Sequence, residues 1–247
     1  MPARFLVEAP LLAGAELSLP PGPARHVQVL RLQPGAGLTL FDGRGGEYAA
    51  KVTHMGRSEV RVIVGEYDPV ERELARPVTL ALGMPANERM DTLVEKATEL
   101  GVAAIAPLVC ERSVLWLQGE RAEKKRAHWR GVAVAACEQS GRTRIPDIAA
   151  VTPLPAWLQT LPDPGHGVRW LLSPGAASTS NLATVSAATG GTHASVLVLS
   201  GPEGGLSAGE EVLARRFGFV AVHLGPRVMR ADTAPLAVLS YLGQRDP

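Results

Sequence analysis

The chain has 247 residues with 25 basic and 24 acidic side chains, and a formal charge of +1 excludes whole-molecule electrostatic attraction to nucleic acid, so any basic surface has to be local. Hydrophobic residues make up 46% of it, enough for a sizeable core, yet no apolar run reaches the roughly 18 to 20 residues needed to cross a bilayer. Length alone fits one large domain or two modest ones, and two is the starting expectation.

The opening MPARFLVEAP lacks the charged, apolar and small-residue succession of a secretory signal, which points to a soluble, cytoplasmic protein. Residues 1–72 carry the apolar segments RFLVEA, AELSLP, GLTLFDG, GEYAAKVTHM and EVRVIVGEY, separated by Pro-Gly, Asp-Gly and Met-Gly breaks. That alternation predicts a small β-barrel over 1–72. A polar stretch closing in proline, ERELARP, reads as the linker, placed at 73–77.

Over 78–247 the period changes. VTLALGMPA (78–86) reads as a strand, and ERMDTLVEKATELG puts Met90, Leu93, Val94, Ala97 and Leu100 on one helical face that ends at Gly101. AAIAPLVC (103–110) is the next strand, and residues 122–140 form a long helix with Trp129, Val132, Ala133, Ala136, Cys137 and Ser140 along one stripe. A short helix at 154–161, strands at 168–173 and 195–200, a helix opened by the capping box Ser207/Glu210, a strand at 220–224 and a helix from Thr233 to Leu242 complete the series. The Ser/Thr/Ala/Gly-rich segment 175–195 reads as an irregular loop. Continuous apolar strands alternating with helices predict an α/β fold with a mostly parallel sheet covered on both faces.

Cys110 and Cys137 stand far apart among apolar neighbours and read as buried thiols. The histidines show no metal-ligand spacing, so no metal is expected, and His223, on the final strand, reads as a core or hydrogen-bonded residue. In an open α/β sheet, ligands settle outside the carboxyl ends of the strands. Three such ends stand out: LLSPGA (171–176), LSGPEGGLS (199–207) and LGPRVMRADTA (224–234). In the last, Gly-Pro cannot continue a central strand, so the chain must leave a loop there. In the second, Gly201, Gly204 and Gly205 let backbone approach a ligand, or simply make an ordinary strand-to-helix turn. No GxGxxG, GxxxxGK[ST] or HExxH is present. A glycine-loop site without phosphate-cradling patterns makes an adenosine derivative such as S-adenosylmethionine a candidate cofactor.

ERMDTLVEKATELGV, ACEQSGR, GPEGGLS and LGPRVMRADTAPLA resemble successive signatures of the RsmE family, SPOUT-class methyltransferases that modify a uridine of small-subunit (16S) ribosomal RNA at N3. HVQVLRLQPGAGLTLFDGRGGEY is similar to the family's amino-terminal PUA-like barrel. The resemblance implies a trefoil knot in the carboxyl half, S-adenosylmethionine held in its loops, and a homodimer with its interface beside the active site. It further implies that Leu172, Leu199, Ser200, Gly201, Gly204, Leu224, Gly225, Pro226, Arg227, Val228 and Met229 line the cofactor, largely through backbone and apolar contact. The family usually has Leu-Arg-Thr-Glu-Thr where this chain has Met229 to Thr233, so Asp232 is one methylene shorter than the usual carboxylate. LSPGA also departs from a more usual His-Pro-Arg pattern.

Methylating N3 of uridine requires orientation, removal of an imide proton and stabilisation of charge on the uracil oxygens. Arg227 and Arg230 can supply fixed positive charge, or can be surface arginines pairing with Glu203. Glu203 can accept the proton, or can fix the loop by accepting backbone N–H groups. For RNA, residues 121–144 hold seven basic residues, including Lys124, Lys125, Arg142 and Arg144, against two acidic, a local balance of +5. That is a candidate phosphate-binding face or a solvated helix face. Arg25, Arg31 and Arg44 fall near predicted turns of a first domain with eight basic and eight acidic residues. The expected partner is small-subunit rRNA or the assembled subunit. The competing readings are a knotted methyltransferase acting on tRNA or a ribose hydroxyl, and a non-catalytic RNA-binding assembly factor.

Overall fold

Alternating apolar residues in the first third of the chain form short strands, and the longer apolar runs beyond form strands buried on both faces. The structure, a computed structural model, describes residues 2–163, 165, 167–173, 180–188 and 194–245. Contacts divide it into two compact units, Met1–Arg72 with Val134–Ile145, and Glu73–Ala133 with Pro146–Pro247.

The first unit holds β1 (Ala3–Leu6), β2 (Glu16–Ser18), α1 (Pro21–Val29), β3 (Gly37–Phe41), β4 (Glu47–Met55) and β5 (Val60–Asp68). They pair in the order β1-β3-β4-β5-β2, with β1 and β3 parallel and the rest antiparallel. Phe5, Val27, Leu40, Val52, Val60 and Val62 make its core. Helix α1 replaces the turn expected at Pro-Gly. Proline is favoured in the first helical turn because its missing N–H has no partner there anyway, so Pro21 starts a helix here. Glu47 bonds Arg4 and Arg72. Burial alone would raise its pKa, but the hydrogen bonds and charges of the two arginines outweigh it and hold the carboxyl below its ordinary value.

The second unit begins with β6 (Val78–Gly83), α2 (Asn87–Glu99), β7 (Ala104–Val109) and α3 (Gly119–Ser140), whose last turns belong to the first unit. Then come β8 (Asp147–Ile148), β9 (Thr152–Pro153), α4 (Leu154–Gln159), β10 (Val168–Leu172), β11 (Ser180–Asn181), α5 (Leu182–Ala188), β12 (Val196–Ser200), α6 (Ala208–Arg216), β13 (Val220–His223) and α7 (Thr233–Arg245). The strand order is β11-β13-β10-β12-β6-β7-β8, with β9 also on β7, and every ladder is parallel. The segment expected to be a loop thus contains β11 and α5. Its small residues hide the helical period, but Leu182 and Ser186 are buried on one face, and Asn181 Oδ1 accepts the N–H of Ala183 at 2.8 Å.

Both faces of this sheet are covered. Leu80, Leu82 and Val198 pack with Met90, Leu93, Trp129 and Leu239 on one side, while Ala81, Leu171 and Leu199 pack with Leu158, Ala214 and Phe219 on the other. Trp129 is fully buried, and its indole N–H donates to Asp91 at 2.9 Å, so α3 is tied to α2 by a satisfied polar contact inside an apolar seam. Cys110 and Cys137 are buried thiols. No described helix is long and apolar enough to cross a membrane.

Candidate active site

The carboxyl ends of β10, β12 and β13 open on one cavity of about 810 Å³, within the size range of small-molecule sites. Its wall includes Leu172 and Ser173 after β10, Ser200 to Leu206 after β12, and Val222 to Gly225 with Arg227 to Ala231 after β13. Arg89 from α2, Arg112 from the loop after β7, Ala208 and Glu211 from α6, and Ala234 from α7 complete it.

The loop after β12 is shaped by what its glycines exclude. A Cβ on Gly201 would stand 2.8 Å from the Leu206 nitrogen, and one on Gly83 would stand 2.5 Å from Pro202 Cδ, so strand β6 and the loop touch backbone to ring. Gly205 takes φ +68°, and its N–H closes a turn onto Pro202 O at 2.8 Å. Around this loop lie three clamps. Glu203 Oε1 accepts the Ala86 N–H at 3.0 Å, just before α2, with the Arg89 guanidinium 3.7 Å away. Arg112 donates to Gly204 O at 3.1 Å and to Leu206 O at 3.3 Å. Glu210, only 3% exposed, accepts Ser207 N–H at 2.8 Å and Glu111 N–H at 2.9 Å, while Ser207 Oγ accepts Glu210 N–H at 3.2 Å. The capping box expected from sequence is therefore also a tie to the loop after β7. Beneath it, burial first, then the charges of Glu210 and Glu111, push the Cys110 thiol up to about 12.

Among the described residues, the loop after β13 is held more sparsely. Gly225 takes φ +108°, a backbone region that side chains avoid, and its N–H donates to His223 Nδ1 at 3.2 Å. Arg227, Val228 and Arg230 are exposed, and Arg230 O accepts the N–H groups of Thr233 and Ala234, both at 3.0 Å, to start α7. Asp232 Oδ1 accepts from its neighbour Thr233 Oγ1 at 3.3 Å.

Two residues expected at the cofactor do not line this cavity. Leu199 is fully buried in the core on the α4 and α6 face, because alternate side chains of a strand point to opposite faces and only the strand end meets the loops. Pro226 is exposed outside the cavity wall. The other expected positions, Leu172, Ser200, Gly201, Gly204, Leu224, Gly225, Arg227, Val228 and Met229, all lie on it, as do Glu203 and Arg230. Positions 174–176 of LLSPGA fall outside the described residues. Sequence reasoning missed Arg89, Arg112 and Glu211, which sit on other elements and reach the cavity only through the fold, and it read His223, at the end of β13, as a core or hydrogen-bonded residue rather than a wall residue. Four arginines and two glutamates share the wall, a surplus of positive charge at an apolar-floored cleft. Among the described residues, no group of three His, Cys, Asp or Glu is placed to hold a metal ion.

The expected basic face is changed by the fold. Arg142 is 3% exposed in the first unit: after Gly141, at φ +87°, the chain leaves α3, and its backbone bonds the turn between β3 and β4, Gly45 N–H to Thr143 O at 3.2 Å and Ile145 N–H to Gly43 O at 3.2 Å. Arg144 pairs with Glu71 at 2.8 Å. Lys124 pairs with Glu120 at 2.7 Å, and Lys125 lies 3.8 Å from Asp91, so their charge is partly neutralised. Arg25, on α1 rather than in a turn, is exposed, as are Arg31 and Arg44. Arg31 occupies the left-handed position, φ +53°, that ends α1.

Residues 72–243 match the family described as the RNA methyltransferase domain, and residues 24–65 the RNA methyltransferase PUA domain. A Bacillus subtilis protein named ribosomal RNA small subunit methyltransferase E is 32% identical over 87% of this chain and 84% of its own length. The chain belongs to the ribosomal RNA small subunit methyltransferase E family. A Neisseria gonorrhoeae structure carrying the same methyltransferase E name, bound to S-adenosyl methionine, superposes with a TM-score of 0.90 at 31% identity, over 99% of this chain and 98% of that one. A Legionella pneumophila methyltransferase with bound S-adenosylmethionine matches with the same TM-score, identity and shares. Methyltransferase E members thus share this fold along the whole chain, PUA domain and parallel sheet included.

Proposed function

We propose that this chain transfers the methyl group of S-adenosylmethionine to N3 of a specific uridine in small-subunit ribosomal RNA. One observation carries the reading: the glycine-bearing loops after β12 and β13 close on a single cleft whose mouth holds Arg227 and Arg230. The cleft fits the cofactor. Nothing stands within 4 Å of where a Cβ would lie on Gly205 or Gly225, so backbone is left bare toward the cavity. Leu172, Leu206, Val222, Leu224 and Met229 offer apolar wall to an adenine and a methionine chain.

When bound, the cofactor supplies an already activated methyl group. The chain's own residues bind, orient and balance charge. Arg227 and Arg230 hold guanidinium charge where the uracil oxygens become negative as N3 gives up its proton. Glu203 serves as a strut, since its Oε1 is engaged by the Ala86 N–H, and the proton passes to solvent or to the second carboxylate oxygen. Ser200, 4% exposed, ends β12 at the cavity wall and marks where the strand gives way to the glycine loop.

The protein works as a homodimer. Val228 is 79% exposed on the cavity rim, and a large apolar side chain left in water beside a site suits coverage by a second copy. The strand order, in which β10 lies between two strands that follow it in sequence, supports a trefoil knot. Arg25, Arg31 and Arg44 grip RNA phosphates, with Lys124 and Lys125 as weaker contributors. The protein acts in the cytoplasm on naked or assembled small-subunit RNA.

Mass mapping of methylated nucleosides from a deletion strain tests the reading. One methyluridine should vanish from small-subunit RNA and return with the wild-type gene. A mark that persists there, or is lost from transfer RNA instead, contradicts it. Calorimetry without saturable cofactor binding would favour a non-catalytic assembly factor.

A further inference from the structure

His223 is an unexpected member of the cavity wall. It ends β13, stands opposite Asn181 across the ladder, and is partly exposed to the cleft. A backbone N–H can only donate, so the 3.2 Å contact from Gly225 N makes His223 Nδ1 an acceptor. In the neutral ring the proton therefore sits on Nε2. Gly225 is the turn of the loop, at φ +108°, and among the described residues the loop has few other ties before Arg230 O starts α7.

We infer that His223 is a positioning residue, whose Nδ1 holds the Gly225 turn in the shape that receives S-adenosylmethionine. The inference rests on the methyltransferase reading of the cavity and adds to it a residue outside the loops that carry the family signatures. Its consequence is a coupling between cofactor affinity and acidity. An imidazolium carries a proton on both nitrogens, so Nδ1 then faces the Gly225 N–H as a second donor and the bond is lost. The charged side chains sharing the wall are Arg89, Arg112, Arg227, Arg230, Glu203 and Glu211. Across the ladder stands Asn181, which carries no charge.

The test is calorimetric titration of the full chain with S-adenosylmethionine, for wild type, His223→Ala and His223→Asn, from about pH 8 to about pH 5, where histidines change charge. Asparagine can accept from the N–H two residues on without titrating. His223→Ala should bind about 3- to 10-fold more weakly throughout, the loss expected for one hydrogen bond. His223→Asn should match wild type at the alkaline end, and the ratio of wild-type to His223→Asn affinity should fall by a similar factor on acidification. That ratio cancels any titration of the cofactor. His223→Ala binding as tightly as wild type overturns the inference, as does a ratio that stays constant with pH. Wild type failing to bind at any pH would instead overturn the methyltransferase reading itself.

Discussion

The loop after β12 and the loop after β13 form opposite walls of one cavity, yet the first is bonded to α2, to the loop after β7 and to α6, while the second turns on Gly225 with His223 beneath it. The first is set before any ligand arrives, which reduces the ordering cost of binding. The second keeps Arg227, Val228 and Arg230 in solvent, free to adjust to a base. A site for a small cofactor and a large RNA needs both kinds of wall: a fixed one for orientation and an adaptable one for the partner that differs in shape.

The strongest way to break the contrast is to unfasten the fixed wall. Glu210→Ala removes the acceptor of two backbone N–H groups and half of a capping box, so the second unit should lose roughly 2 to 4 kcal/mol in denaturant titration. A loss below about 1 kcal/mol would mean that water replaces the carboxylate and that the clamp is weaker than its geometry. Next comes Arg230→Ala on the adaptable wall. It should leave cofactor affinity near wild type and cut turnover by about 100-fold, the scale for losing one charge-stabilising donor. Unchanged turnover would remove Arg230 from the chemistry and leave it the start of α7. Gly225→Ala is expected to fall between the walls. A side chain at φ +108° is strained, and about 10-fold weaker cofactor binding with little change in unfolding midpoint would place the strain in the loop alone.

The same contrast explains what could be read before the fold was known. Strands β6, β10 and β12 declared themselves by unbroken apolar runs, and Ser207 with Glu210 marked the start of α6 by a local bond pattern. GPEGG and LGPRVMR pointed to the walls because glycine and proline at a strand end are legible one loop at a time. Arg89 and Arg112 were illegible for a different reason: each reaches the cavity from an element remote in sequence, and no local rule encodes that meeting; His223, next to Leu224, was legible in place but not in the face it shows to the cavity. Arg142 shows the reverse failure. Its charge suggested a surface, but Gly141 turns the chain inward and buries it. Helix α1 was hidden by Pro-Gly, a turn signal whose proline also suits the first turn of a helix.

Glu203→Gln sharpens the comparison with the smallest change. The amide keeps an oxygen to accept the Ala86 N–H and so keeps the strut, while it removes the carboxylate charge that faces Arg89 at 3.7 Å. That pair is partly exposed, and its worth is at most about 1 kcal/mol. If Glu203 belongs to the fixed wall alone, turnover should fall less than about 5-fold, the rate equivalent of that energy. A general base contributes about 100-fold or more, so a drop of that size would move Glu203 from the scaffold to the chemistry. The two outcomes are separated by more than tenfold, and Glu203→Ala supplies the control: it cuts the strut as well, so its excess loss of cofactor affinity over the glutamine variant measures how much the fixed wall depends on the bond to Ala86.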